Sequence, residues 1–240
     1  MKNPTLLLSL ALCALTALPS LASAQSVCTS DGQPSPVRLM ERFTSADCAA
    51  CWQDPATARA APGTALLDWV LPGSRGDDAP LSAVASRDGA TRLLSSSEPV
   101  PSTTRATTRP VTTDAALKNS VLRVARGLAM SGYIGASIAL KPAPIRTQAA
   151  QVTAWLALVE TLPAGLEGSP VERNLVRNAF QSSWNLHKKL SKSEQNHWFD
   201  QRSMGVADGA NPDRLTVIGW LEDSQGRVLA AAQSACSTAP

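Results

Sequence analysis

A chain of 240 residues, 44% of them hydrophobic and 17% charged, is long enough to bury a full-sized core. A formal net charge of +3 gives no case for nucleic acid, which needs a clustered basic face, and with only 4% aromatic residues stacking platforms are scarce as well.

Residues Met1 to Ala24 carry Lys2, an apolar core from Leu6 to Leu18, and then Ala22-Ser23-Ala24, the small-x-small pattern that signal peptidase accepts. This predicts a signal peptide over 1–24, cleaved before Gln25, and a periplasmic or secreted protein. The apolar run is too short to span a bilayer. No later segment holds about eighteen uninterrupted apolar residues, so the mature chain is expected to have no transmembrane segment. Gln25, Ser26 and Val27 precede Cys28 where a lipoprotein signal would place small residues. Loss of the leader removes Cys13 and Lys2, which leaves four of the five cysteines and lowers the net charge from +3 to +2. Four cysteines in an oxidising compartment allow three pairings. The close pair Cys48/Cys51 leaves Cys28 and Cys236 as natural partners in a structural disulfide that ties the ends together. Closing a loop of roughly two hundred residues contributes about 4–5 kcal/mol in the chain-entropy model.

Gln25 to Pro36 is polar, with Gly32, Pro34 and Pro36, and reads as an arm over 25–36 held through Cys28. Val37 to Phe43 reads as a half-buried strand, with Val37, Leu39 and Phe43 inward and Arg38 and Arg42 between them. Thr44 to Asp47 supplies turn chemistry, and Ser45 or Asp47 can cap a helix carrying Cys48-Ala49-Ala50-Cys51, which Pro55 limits. Ala65 to Leu71 is apolar enough for a central strand ended by Pro72-Gly73. Asp78-Ala79-Pro80 reads as an N-cap followed by an early helical proline, with Leu81, Val84, Ala85 and Leu93-Leu94 on one face. The order strand, helix, strand, helix opens an α/β layer with a parallel pair.

Ser95 to Thr113 is rich in Ser, Thr, Pro and Arg and reads as an exposed loop closing a first domain over 37–113. Beyond it, over 114–240, the pattern is β. Tyr133–Leu140, Val152–Glu160 and Leu175–Trp184 have strand length and composition, Leu117–Ala125 is ambiguous, and Leu215–Asp223 with Arg227–Ala232 is the clearest hairpin. Such strands pack as an antiparallel sandwich.

Two stretches carry a resemblance. Glu41-Arg42-Phe43-Thr44-Ser45-Ala46-Asp47-Cys48-Ala49-Ala50-Cys51 resembles the opening strand and cysteine pair of a secreted bacterial thioredoxin-like family of unknown function (domain of unknown function 1223), with Arg42 in place of a leucine. Gly168 to Arg177 looks like a diverged form of that family's Gly-Glu-Asn segment, and Val217 to Ala231 like its closing hairpin. The resemblance implies a thioredoxin-like domain followed by a β-sandwich. It also implies a cis-proline beside the cysteines; Pro110 is the best candidate by chain order and Pro101 the next.

The chemistry expected of Cys48 and Cys51 is thiol–disulfide exchange or redox sensing, with Cys48 the exposed nucleophile and Cys51 the resolving thiol. Ala49 and Ala50 add no charge, so any activation must come from the start of the helix. The partners would be protein thiols or disulfides in the envelope. A permanent local disulfide in a non-catalytic binding module is the rival reading, and a soft metal such as Cu(I) on the two thiolates a third. No organic cofactor is implied. His187 and His197, the only histidines, flank a solvated lysine-rich stretch and match no zinc spacing. No G-x-S-x-G elbow is present, and Gly165 to Gly168 lacks the Lys-Ser/Thr of a phosphate cradle. Trp69, Trp155, Trp184 and Trp220 read as core, and Trp52 as core or as a shield over the cysteines.

Overall fold

A computed structural model describes residues 28–95, 99–142, 151–186 and 198–236. The leader, its cleavage point before Gln25, Cys13 and both histidines lie outside the described residues. Strands dominate, because the long runs of alternating or continuous apolar residues find partners across the chain and not in local helices.

Two sheets form. In the first, β1 (Cys28–Thr29), β5 (Val121–Met130), β6 (Tyr133–Lys141), β9 (Trp198–Gly205) and β12 (Ala235–Cys236) stand in the order β12-β1-β5-β6-β9. The second holds β2 (Arg38–Ser45), β3 (Thr64–Leu71), β4 (Thr104–Pro110), β7 (Gln151–Leu162), β8 (Arg173–Asn185), β10 (Leu215–Glu222) and β11 (Val228–Gln233), in the order β11-β10-β7-β8-β3-β2-β4. Leu122, Val124, Ile134, Ile138 and Leu140 from the first sheet meet Val152, Leu156, Leu158, Val217 and Leu221 from the second in one apolar layer. This is sandwich-like packing, with inward residues two apart along each strand. The sheets approach so closely at Gly219 of β10 that a Cβ there would lie 2.5 Å from Val124 Cγ1 and 2.9 Å from Ile138 Cδ1.

The expected thioredoxin-like α/β domain is not present among the described residues, and the fold is mostly β. Among the described residues the α-helices are a single turn, α1 (Ala49–Trp52), and the nine-residue α2 (Arg87–Ser95). β2 and β3 do run parallel, from Arg38 beside Thr64 to Ser45 beside Leu71. The crossover between them stops being helical after one turn, because Asp54-Pro55 and the small residues that follow do not propagate a helix. The remainder lies as a loop across one face of the sheet. The helix expected from Asp78 starts later, at Arg87, after short 3-10 turns over Gly76–Asp78 and Ser82–Val84. α2 covers the other face, with Leu93 buried and Leu94 exposed.

The stretch 95–113, expected as a loop, contains strand β4, antiparallel to β2 from Thr104 beside Thr44 to Pro110 beside Arg38. An edge strand needs one ladder and one covered face, and threonine suits that role. The seven-stranded sheet thus draws strands from both sides of residue 113. Trp69, Trp155 and Trp220 lie in the core between β-strands and α2, and Trp184 in the layer between the sheets.

Candidate functional site

The cysteine pair sits where β2 ends. Backbone bonds set the turn: Cys48 N–H donates to the Ser45 carbonyl (3.0 Å) and Ala46 N–H to the Leu71 carbonyl at the end of β3 (2.9 Å). Cys48 is itself the N-cap of α1. Its sulfur accepts the Cys51 N–H at 3.2 Å, in the place where Ser45 or Asp47 was expected to act. Asp47 turns instead to the loop after β3, accepting from Ser74 N–H, Ser74 Oγ and Arg75 N–H. Gly73 is required there, since a Cβ would fall inside the Asp47 carboxylate. Slight desolvation works to raise the Asp47 carboxyl, but the Ser74 and Arg75 donors outweigh it and hold the group below the usual carboxylate range.

Cys48 and Cys51 are bonded to each other and half-buried. Trp52, next in the chain, packs with Ala46, Val70, Ala79, Leu162 and Leu175, and its indole N–H donates to the Glu167 carbonyl in the loop between β7 and β8.

Beneath the turn lies a group of charges that the sequence did not reveal as a unit. Arg42, read from the pattern as an outward residue, is 1% exposed because both faces of β2 are covered. Its Nε and Nη2 grip the Asp68 carboxylate at 2.7 and 2.6 Å, and Nη1 donates to the Ala58 carbonyl. Arg173 reaches the same carboxylate at 3.2 Å, donates to Ser169 Oγ and the Trp52 carbonyl, and lays its guanidinium 4.7 Å over the Trp52 ring. Burial, reinforced by the like charge of Arg42, lowers the Arg173 pKa against the opposing pull of Asp68. The available signal was Asp68 itself, a lone charge inside Ala65-Leu66-Leu67-Asp68-Trp69-Val70-Leu71: a buried carboxylate must find partners.

The second bridge is differently placed. Cys28 and Cys236 face each other across β1 and β12, and Cys28 is also paired with Arg126 of β5. Cys28 has no exposed surface, and Arg126 Nη2 approaches Cys236 Sγ at 3.5 Å. Pro110 lies beside Arg38, at the end of β2 away from the cysteines, and the one cis peptide bond among the described residues is Lys141–Pro142. Among the described residues no group of three or more His, Cys, Asp or Glu side chains is placed to share a metal ion, and no helix is long and apolar enough to cross a membrane.

Fold and site together define a mostly β protein of two sheets with two disulfides, which fits a secreted or envelope protein. Comparison with protein-family models and with curated proteins returned no match. Among solved structures, HBP35 of Porphyromonas gingivalis aligns over 83% of this chain and 74% of its own, at 8% identity and a TM-score of 0.45, a likeness too distant to transfer fold or function.

Proposed function

We propose that this is an extracytoplasmic protein whose Cys48–Cys51 disulfide is the reducible one of its two, serving thiol–disulfide exchange or redox sensing. The contrast between the bridges carries the reading. Cys28–Cys236 is held within strand pairing with Cys28 fully buried, whereas both cysteines of the other bridge are half-exposed, on a one-turn helix with a backbone N–H already directed at Cys48 Sγ. That donor stabilises a thiolate.

In the reductive direction a donor thiolate attacks Cys48 Sγ and expels the Cys51 thiolate. A second donor thiolate then attacks the sulfur of the donor now bonded to Cys48 and releases the Cys48 thiolate. Two electrons reach the pair, and the donor leaves as a disulfide. Run backwards, Cys48 is the nucleophile toward a substrate disulfide.

The test treats the folded protein with dithiothreitol, alkylates free thiols and maps the labelled peptides. Cys48 and Cys51 are expected to label while Cys28 and Cys236 stay bridged. Labelling of all four only on unfolding, or a reduction potential for Cys48–Cys51 below about −300 mV, would overturn the proposal.

One observation favours a second reading, a ligand-binding envelope module in which both bridges are structural. A cleft of about 520 Å³ opens beside β4, lined by Phe43, Leu93, Arg105, Arg109, Glu222 and Gly226. Under that reading, Cys48→Ser/Cys51→Ser leaves the function of the protein intact, whereas redox function is lost.

A further inference from the structure

The charges behind the cysteine turn do not cancel. Arg42 and Arg173 are two guanidinium ions on the single carboxylate of Asp68, with side chains at most 3% exposed, so the trio carries a net charge of +1. Arg42 satisfies Asp68 through two bonds on its own. Arg173 is the surplus cation: besides Ser169 Oγ and Asp68, its Nη2 donates to the segment after Cys51, at the Trp52 carbonyl (3.0 Å) and Thr57 Oγ1 (3.5 Å). Of the acids around the cluster besides Asp68, Asp54 exerts an upward pull on the Arg173 pKa but is exposed, Glu167 and Glu172 are exposed and bond Trp52 and Arg42 only through their backbone carbonyls, and Asp47 beside Cys48 is held by Ser74 and Arg75.

Burying an extra charge is costly unless something in the site compensates it. The oxidised pair is neutral. Reduction by two electrons and one proton converts it to one thiol and one thiolate, and a negative charge then appears on the turn whose last residue, Trp52, carries the guanidinium over its ring and on its carbonyl.

We propose that Arg173 is a positioning residue for the Cys48–Cys51 pair: it fixes the turn through the Trp52 carbonyl and sets behind it an uncompensated positive charge that favours the thiolate form. The inference rests on the reading that this pair is the reducible one. It adds a regulation of the site, a potential set by a buried cation remote in sequence.

The test starts with the folded protein reduced by excess phosphine, which acts whether or not dithiols exchange with the pair. Thiol reactivity is then followed against pH. The first macroscopic pKa of the wild-type pair is expected to lie below the ordinary value of about 8.5. Arg173→Gln is expected to raise it by about one pH unit and to lower the equilibrium constant for reduction about tenfold, equivalent to about 30 mV for two electrons. Arg173→Lys keeps the charge and restores most of the shift.

Asp68→Asn raises the buried charge from +1 to +2 and is expected to move the pKa in the opposite direction. Simple loosening of the turn would move Arg173→Gln and Asp68→Asn the same way, and that result overturns the proposal. A wild-type value at or above about 8.5 overturns it with no variant needed. If dithiothreitol fails to reduce the pair while the phosphine-reduced protein shows the lowered pKa, the functional reading falls and the electrostatic role of Arg173 stands.

Discussion

Two adjacent residues of β2 anchor two separate buried networks, because successive side chains of a strand point to opposite faces. Arg42 enters the cluster behind the cysteines. Glu41 enters the other face, where it accepts from Arg92, Arg109 and the Trp69 indole, while Arg92 also binds Glu222 and lies 4.9 Å over the Trp155 ring. Burial works to raise the Glu41 carboxyl, but Arg92 and Arg109 outweigh it and hold it below the usual carboxylate range. Burial likewise works to lower the Arg92 pKa, and Glu41 and Glu222 raise it instead. A carboxyl whose folded pKa is depressed contributes stability that is present above its unfolded pKa, about 4.3, and is lost as pH falls through the folded value. Glu41→Gln should cost about 3 kcal/mol at neutral pH, since it leaves Arg92 and Arg109 sharing one carboxylate. It should also flatten the fall in stability between about pH 4.3 and lower pH. Urea denaturation across that range measures both effects. An unchanged acid limb in the variant would mean that Glu41 is not one of the groups whose protonation destabilises the fold.

At the level of elements, close packing of one sheet on the other converges on Gly219. Gly219→Ala would place a methyl group against Val124 and Ile138, and the fold should lose about 1–3 kcal/mol by overpacking. Thermal or urea denaturation checks this, and Val124→Ala in the same chain should recover part of the loss by making room. A variant as stable as the parent would show that the sheets separate without cost. The hairpin of β10 and β11 was legible in the sequence because both strands are apolar and a turn sequence lies between them, so local pattern and partner coincide. β4 was not. Arg105, Thr107 and Arg109 alternate with Ala106, Thr108 and Pro110, a period of two hidden by the absence of large apolar side chains. The cysteine turn was legible from spacing alone, but its cap was not: the capping atom is a sulfur, and Asp47 was drawn away by a loop twenty-seven positions further on.

For the whole molecule, long-range pairing decides the architecture, and the sequence carries little trace of it. Asp68 of β3 stands beside Leu175 of β8, so the strands around the cysteines are welded to the larger β sheet and not to a helical layer. A local strand-and-cysteine motif cannot report that junction, which is why the thioredoxin-like expectation failed while β2, β3, β6, β7, β8, β10 and β11 were each readable. The termini of the described chain meet through Cys28 and Cys236, separated by 208 positions, in the other sheet. Such a bridge acts chiefly by restricting the unfolded chain. Its removal by Cys28→Ser/Cys236→Ser should cost about 4–5 kcal/mol, or less where the denatured chain keeps structure. The freed chain expands further and exposes more surface, so the urea m-value should rise as the midpoint falls. The dithiol reactivity of Cys48 and Cys51 should stay within error of the parent, since one bridge lies within the first sheet and the other on α1 past the end of β2, and they share no partner. A loss of stability with an unchanged m-value would place the effect in the folded state, through Arg126 and the β1–β12 pairing. A change in Cys48 reactivity would show that the two sheets communicate across the apolar layer between them.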